Sequence, residues 1–186
     1  MNQLNRRIYK GQSLMQNLAN YTVLDIETTS LDSCSGEILE ISAIKVRAEK
    51  EMDYFSELIQ VKNDVGYFTT RLTGITNEMV RENGKDLIAV LDAFQKFLGK
   101  DVIVGHNVNF DINFLYDSMQ ENLNVYLSND YIDTLKISRK VLPNLKHHKL
   151  DNLIDYFHLT KREEHRALND CILTNQVYRN LVHYLL

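Results

Sequence analysis

The stretch YTVLDIETTSL, from Tyr21 to Leu31, contains two acidic residues in a segment that otherwise has the composition of a buried β-strand. Tyr, Thr, Val, Leu and Ile suit a pleated, half-buried surface. Asp25 and Glu27 do not, because burying a carboxylate costs several kcal/mol unless a positive charge compensates it. Residues two apart on a strand point to the same side, so both carboxylates are presented at one place. This pair predicts a divalent-cation site, and a solvated edge strand is the alternative explanation.

Length, composition and charge limit the class of protein. The chain has 186 residues, of which 44% are hydrophobic and 25% charged, as expected for a single globular domain. Its formal net charge of −4 argues against a protein that holds duplex nucleic acid by bulk electrostatics. An enzyme that binds a few nucleotides through metal ions stays open.

The two cysteines and the hydropathy pattern indicate the compartment. Cys34 and Cys171 are too few for a disulfide scaffold and predict free thiols in a reducing environment. The sequence shows no secretory signal and no apolar run near the roughly 20 residues of a membrane span. We therefore expect a cytoplasmic protein that does not associate with membranes.

The order of predicted elements favours a mixed sheet flanked by helices. The leader, residues 1–20, has apolar residues at helical spacing and is expected to form a short amphipathic helix, although Gly11 weakens that prediction. Three strand-like segments then follow as an antiparallel meander: 21–26, 37–46 and 53–61. Helical patterns alternate with two short strands, 101–107 and the start of 130–142, over the rest of the chain. The helical segments are 73–83, 86–98, 109–122, the remainder of 130–142, 148–157 and 165–186.

Two further acidic positions stand near the starts of predicted helices. Asp111 falls in a first helical turn, where the helix dipole favours a carboxylate by roughly 0.3–1 kcal/mol. His165 and Asp170 are five residues apart, about 140° around a helix, so His165 is placed in the loop before that helix. Loops that follow strands in open sheets are common sites of function. Taken singly, each acid is better explained as a helix cap or an exposed polar residue.

Taken together and in this order, three motifs resemble the DEDD superfamily of 3′–5′ exonucleases, in its histidine-bearing branch. The motifs are LDIETTSL, GHNVNFDINFL and HRALNDC, and the segment LTGITNEMV matches another recurrent part of the family. The group includes proofreading exonucleases of bacterial DNA polymerase III. The resemblance implies an α/β, ribonuclease-H-like fold with a central five-stranded mixed sheet flanked by helices, in an exonuclease domain over residues 21–186. Cys171 stands where the family usually has a small residue, and we expect it to pack in the same way.

The resemblance also implies the roles of the site residues. It assigns four metal-binding carboxylates and one proton acceptor: Asp25, Glu27, Asp111, Asp170 and His165. Asp25 would bridge two ions, with Glu27 and Asp170 at the first and Asp111 supporting the second. Four residues are implied at the pocket for the terminal nucleotide: Thr28, Thr29, Leu72 and Ile75.

These residues suit one kind of chemistry. Carboxylate oxygens select Mg²⁺ or Mn²⁺ over zinc. Two such ions about 3.5–4 Å apart can hold the attacking and leaving oxygens of a phosphoryl displacement. A histidine with an ordinary pKa near 6.5 can accept a proton around neutral pH. The expected reaction is release of nucleoside 5′-monophosphates from the 3′ ends of single-stranded or frayed DNA, with a DNA polymerase as a candidate partner.

Two alternatives stay open on sequence alone. A ribonuclease that trims RNA 3′ ends would use the same acidic quartet. A non-catalytic scaffold that binds a polymerase or nucleic acid is a rival of another class, but all five chemical positions are intact.

Other polar and aromatic residues invite interpretation. Six basic residues of the last third are candidates for gripping the strand, with ordinary surface exposure as the alternative: Arg139, Lys140, Lys146, Lys149, Lys161 and Arg162. A zinc site at His147 and His148 is rejected because no cysteine lies at ligand spacing. Tyr67 and Phe68 could stack on bases, although core packing is the favoured interpretation.

Overall fold

The computed structural model describes residues 7–32, 35–160 and 166–185. Within them, six strands form one mixed sheet: β1 (Ser13–Leu14), β2 (Tyr21–Thr28), β3 (Ile38–Arg47), β4 (Lys50–Leu58), β5 (Ile103–Gly105) and β6 (Tyr131–Asp133). Their order across the sheet is β1-β6-β5-β2-β3-β4. The described residues also form seven helices: α1 (Tyr67–Thr73), α2 (Asn77–Asn83), α3 (Leu87–Leu98), α4 (Asn109–Leu123), α5 (Thr134–Val141), α6 (Leu150–Tyr156) and α7 (Ala167–Val182).

Strand β2 is central because it pairs on both sides. It runs antiparallel to β3, which is antiparallel to β4, and parallel to β5. Strands β5, β6 and β1 are parallel to their neighbours. The carboxyl ends of β2, β5 and β6 therefore meet at one edge of the sheet, the edge at which open α/β sheets bind ligands.

Two apolar layers cover the faces of the sheet. On one face, Leu24 and Ile26 pack in a cluster with Phe94 of α3 and Leu115 of α4. On the other face, Val23 belongs to a cluster that includes residues of α5, α6 and α7. Alternate residues of β2 thus face different helix layers, which explains its nearly continuous apolar sequence.

The α/β, ribonuclease-H-like fold and the antiparallel meander are confirmed. The sheet has six strands rather than the expected five, because the leader contributes β1. The helical leader is wrong for residues 7–20, which hold this strand and no α-helix. Gly11 has a physical reason to be glycine: a Cβ atom there would lie 2.0 Å from the carbonyl oxygen of Asn129. The helical segment predicted over 73–83 corresponds to α2, whereas α1 was not predicted.

Two smaller predictions concern membranes and cysteines. No helix in the described parts of the chain is long and apolar enough to cross a membrane. Cys171 is a free, fully buried thiol, as expected from its place in the third motif. Cys34 lies outside the described residues.

Candidate active site

Three of the predicted metal ligands converge at the carboxyl edge of the sheet. Asp25 and Glu27 come from β2, and Asp170 comes from the first turn of α7. Each offers one carboxylate oxygen, and these atoms all lie within 4.8 Å of one another. Residues far apart in sequence meet because α7 packs across β2 and β3. The alternation of β2 explains why Asp25 and Glu27 share a side.

Asp111 is held against this cluster from α4. It is 5% exposed and lies in the first turn of the helix. Its Oδ1 atom accepts a hydrogen bond from the backbone N–H of Ile26 at 3.1 Å. Ile26 lies between the two acids of β2, so the bond fixes Asp111 beside them. The mutually close set of three carboxylates does not itself include Asp111.

The charges of the cluster oppose one another in the absence of a cation. Burial raises the pKa of Asp25 well above its usual range, and the carboxylates of Asp111, Asp170 and Glu27 raise it further. Burial, with Asp170 and Glu40, raises the pKa of Glu27 to about 7. Burial raises the pKa of Asp111 to about 8, although two backbone hydrogen bonds act in the opposite direction. A divalent cation would relieve this repulsion, and an all-oxygen donor set suits a hard ion.

A buried ion pair lies next to the cluster and was missed by the sequence analysis. The guanidinium of Arg166 donates to both oxygens of Glu40, at 2.7 and 3.2 Å. Glu40 is 1% exposed, and its neighbour across the strand pair is Glu27. The positive charge of Arg166 lowers the pKa of Glu27, against the stronger effects of burial and nearby acids. Arg166 thus joins the start of α7 to β3, beside the acidic residues of β2.

His165, the predicted proton acceptor, lies outside the described residues. Lys161 and Arg162 lie outside them as well. The described chain resumes at Arg166, directly before α7.

The four residues expected at the nucleotide pocket occupy different environments. Thr28 and Thr29 are half-buried beyond the acidic end of β2, and the Thr29 hydroxyl accepts a hydrogen bond from the Glu37 N–H at 2.9 Å. Leu72 is 72% exposed on α1. Ile75 is fully buried in a cluster with Leu39, Leu58, Val65 and Val80. The structure therefore leaves the two threonines and Leu72 accessible, and it places Ile75 in the core.

The aromatic pair of α1 is also accessible. Tyr67 and Phe68 are 72% and 83% exposed, so their assignment to core packing was wrong. Their helix contacts the end of β2 through a hydrogen bond from the Thr69 hydroxyl to the Thr29 carbonyl, at 3.5 Å. The exposed apolar side chains of α1 therefore lie near Thr29, which follows the acidic end of β2.

A mixed sheet with three carboxylates gathered at its carboxyl edge is an arrangement that suits a metal-dependent enzyme. The chain belongs to the RNase_T exonuclease family, whose sequence model matches residues 22–178.

Known proteins of this class are similar over most of the chain. A DNA polymerase III PolC-type from Latilactobacillus sakei subsp. sakei (strain 23K) is 36% identical over 174 residues, covering 94% of this chain and 12% of that protein. The chain thus spans about one eighth of the length of such relatives. E. coli exonuclease I in complex with a dT13 oligonucleotide superposes with a TM-score of 0.75 at 16% identity, covering 88% of this chain and 41% of the other. Exonuclease X in complex with 5′ overhanging duplex DNA gives a TM-score of 0.68 at 24% identity, with 88% and 91% covered. At these identities the two structures support the fold alone.

Proposed function

We propose that this chain is a divalent-metal-dependent 3′–5′ exonuclease that releases nucleoside 5′-monophosphates from single-stranded or frayed DNA ends. The observation that carries the proposal is the convergence of Asp25, Glu27 and Asp170 on one point in a member of an exonuclease family. DNA is favoured as substrate because the sequence relatives are named as DNA polymerases. Association with a DNA polymerase and a cytoplasmic location belong to the same proposal and have the same support.

The acidic residues would hold the metal. Asp25, Glu27 and Asp170 would bind one Mg²⁺ or Mn²⁺, and Asp111 would help Asp25 hold a second. When bound, such ions supply Lewis-acid activation of a water molecule and compensation of charge on the phosphate. Without cations, those carboxylates that are ionised would repel the phosphodiester, so substrate binding and metal binding would be coupled.

The remaining steps belong to protein side chains. His165 would accept a proton from the attacking water, as a neutral imidazole can near neutral pH. A bond then forms between the water oxygen and phosphorus while the bond from phosphorus to the 3′ oxygen breaks. The shortened strand leaves with a 3′ hydroxyl after taking up a proton. Thr28, Thr29 and Leu72 would contact the terminal nucleotide from the side of α1.

The direct test is digestion of a 5′-labelled single strand with Mg²⁺ or Mn²⁺. We expect mononucleotide release that EDTA stops and that Asp25→Asn or Asp170→Asn lowers by roughly 10³-fold or more. Asp53→Asn is the matched control, because Asp53 is an exposed carboxylate on β4, opposite Lys45 in the strand pair. If Asp25→Asn digests the strand at the parental rate, the assignment of the site is wrong.

Two further measurements address the finer parts of the proposal. Replacing His165 by alanine should lower the rate by about 10²–10⁴-fold and remove the rise of activity with pH near 6.5. An unchanged pH profile in that variant would remove His165 from its role. Equal digestion of matched DNA and RNA strands would contradict a preference for DNA.

A further inference from the structure

A cavity of about 610 Å³ opens beside the acidic site and is lined by basic residues. Three of the six basic residues singled out in the sequence, Arg139, Lys146 and Lys149, lie on its wall. The other polar residues of the lining are three histidines and one asparagine, namely His106, His147, His148 and Asn107. Of the described residues, no acid contributes to this lining. In a chain with a net charge of −4, this is a concentration of positive charge, and we call it the basic cavity.

The basic cavity lies at the same sheet edge as the carboxylates. The parallel register pairs Val23 with Val104, and His106 directly follows the last residue of β5 as Asp25 follows Leu24 on β2. Neighbouring strands are about 4.8 Å apart, so the residue that follows β5 and lines the cavity comes from the strand next to the one that holds Asp25 and Glu27. Gly105 lies against β2 at this point, because a Cβ atom there would be 3.0 Å from the backbone oxygen of Leu24, the residue before Asp25.

Hydrogen bonds hold the floor of the basic cavity in place. The imidazole Nδ1 of His106 lies 2.9 Å from the Thr134 hydroxyl, which also donates to the Gly105 carbonyl. The Asn107 N–H donates to Asp133 Oδ1 at 2.9 Å. The His148 Nδ1 lies 3.1 Å from the Ser138 hydroxyl. The cavity is therefore formed before any ligand arrives.

The cations on its rim are free to meet an anion. Arg139, Lys146 and Lys149 are exposed. None of these cationic side chains pairs with a carboxylate in the described structure, whereas Arg7, Arg47, Arg166 and Arg179 each do. Ordered cations around a concave surface without their own counter-ions favour binding of a polyanion.

We propose that the basic cavity is a second binding site for the substrate strand, which holds the backbone phosphates upstream of the 3′-terminal nucleotide. The inference rests on the proposed exonuclease function and adds the course of the strand. The two sides of the acidic cluster differ in chemistry: Tyr67, Phe68 and Leu72 offer an apolar surface to bases on one side, and the cavity offers cations to phosphates on the other. A strand whose 3′ end reaches the acids thereby gains affinity from charges that the metal site lacks.

The test compares two double variants with the same change of charge. Lys146→Gln with Lys149→Gln removes two cations of the basic cavity. Lys50→Gln with Lys100→Gln removes two exposed cations at the amino-terminal edge of the sheet, near the starts of β4 and β5. Binding is measured by fluorescence anisotropy in Ca²⁺ with a labelled oligothymidylate of about 12 nucleotides, whose terminal linkages are phosphorothioates to suppress cleavage. Thymidine 5′-monophosphate serves as a competitor, and the titrations are repeated at several salt concentrations.

We expect the cavity variant to bind the oligonucleotide about tenfold more weakly at low salt. The slope of log affinity against log salt should fall by about 1.4, because each lost phosphate contact on a single strand contributes about 0.7. The control variant should keep the parental slope, and Arg139→Gln added to the cavity variant should reduce it further. Circular dichroism melting confirms that each variant is folded.

Three results would overturn the proposal. The cavity variant could match the control variant, the parent could bind the oligonucleotide no better than the mononucleotide, or the variant could lose affinity for both ligands by the same factor. The last result would mean that the cavity binds the terminal nucleotide rather than the upstream phosphates. Since anisotropy requires no cleavage, a parent that binds strands in this way without digesting them would refute the proposed activity and leave the cavity as a strand-binding site.

Discussion

Asp111 shows at the scale of one residue how the site trades stability for function. Its carboxyl group is buried at the start of α4 and accepts a hydrogen bond from the backbone of Ile26. That bond favours the charged form, but burial has the larger effect and raises the pKa from 3.8 to about 8. Without a cation, the folded protein therefore disfavours the charge that metal binding would require.

The stability of the metal-free protein should accordingly depend on this group. A carboxyl whose pKa is raised by folding costs no stability below its unfolded pKa, and its cost grows as the pH rises from about 4 to about 8. We expect Asp111→Asn to be more stable than the parent in EDTA at neutral pH, by a few kcal/mol at about 1.4 kcal/mol per pKa unit. The gain should shrink as the pH falls towards 4. Urea unfolding across this range measures it.

Asp53→Asn is the control for this prediction, because it removes a charge at an exposed position. A gain from Asp111→Asn that the control reproduces would mean that relief of overall negative charge, rather than burial of Asp111, is responsible. A variant that is less stable than the parent at every pH would contradict an upward shift of the Asp111 pKa on folding.

At the scale of elements, the start of α7 depends on one buried ion pair. Glu40 on β3 accepts two hydrogen bonds from the guanidinium of Arg166. It also accepts a hydrogen bond from the backbone N–H of Ala167 at 3.4 Å. Asp170 lies in the following helical turn. The pair therefore sets where α7 meets β3, and it connects the stability of the helix to the geometry of the metal ligands on β2 and α7.

Replacing Arg166 should lower the free energy of unfolding far more than replacing Arg179, which lies within α7. Arg166→Met leaves Glu40 charged and buried, and breaking such a pair from one side costs about 3–5 kcal/mol. Arg179→Met breaks an ion pair with Glu49 in which both side chains are about half exposed, and such pairs contribute about 1 kcal/mol or less. Denaturant unfolding of the two variants compares these costs.

A second variant separates lost charge pairing from lost packing. Combining Arg166→Met with Glu40→Gln removes the unpaired charge, so a large part of the lost stability should return. If Arg166→Met and Arg179→Met cost the same, or if the double variant is no more stable than Arg166→Met, the ion pair does not anchor α7 in the way described.

At the scale of the whole molecule, local patterns predicted a mixed sheet flanked by helices, and the family resemblance implied which acids would lie together. The period-two spacing of Asp25 and Glu27 and the helix starts at Asp111 and Asp170 are local features, and the structure brings them together. The Glu40–Arg166 pair depends on the register between β2 and β3 and on the docking of α7, which local patterns do not contain. The same holds for residues whose burial is decided by distant packing. Ile75 was expected at a pocket and is in the core, whereas Tyr67 was expected in the core and is exposed.

The leader shows the same limit. Its apolar spacing suits a helix, but Gly11 packs against the backbone of Asn129 and the Gln12 carbonyl accepts a hydrogen bond from Tyr131 at 2.9 Å. Strand formation there depends on an open edge of β6, which no pattern within residues 1–20 could reveal. Local sequence thus predicts elements whose own residues determine them and fails where a distant partner does.

Metal binding should be linked to protons and to the stability of the whole domain. A cation that binds only the folded protein stabilises it by about 2.7 kcal/mol at 100 times its dissociation constant. It binds ionised carboxylates, and the pKa values of Glu27 and Asp111 are raised to about 7 and about 8 in the metal-free protein. Between pH 8 and pH 6, binding must therefore displace protons, so the stabilisation by a fixed Mn²⁺ concentration should fall as the pH is lowered.

Urea unfolding with and without Mn²⁺ measures this loss. Calorimetric titrations in buffers of different ionisation enthalpy measure the released protons. Asp25→Asn should remove both effects, and Asp53→Asn should keep them. Stabilisation that is equal at pH 6 and pH 8, or that persists in Asp25→Asn, would place the bound ion away from these carboxylates.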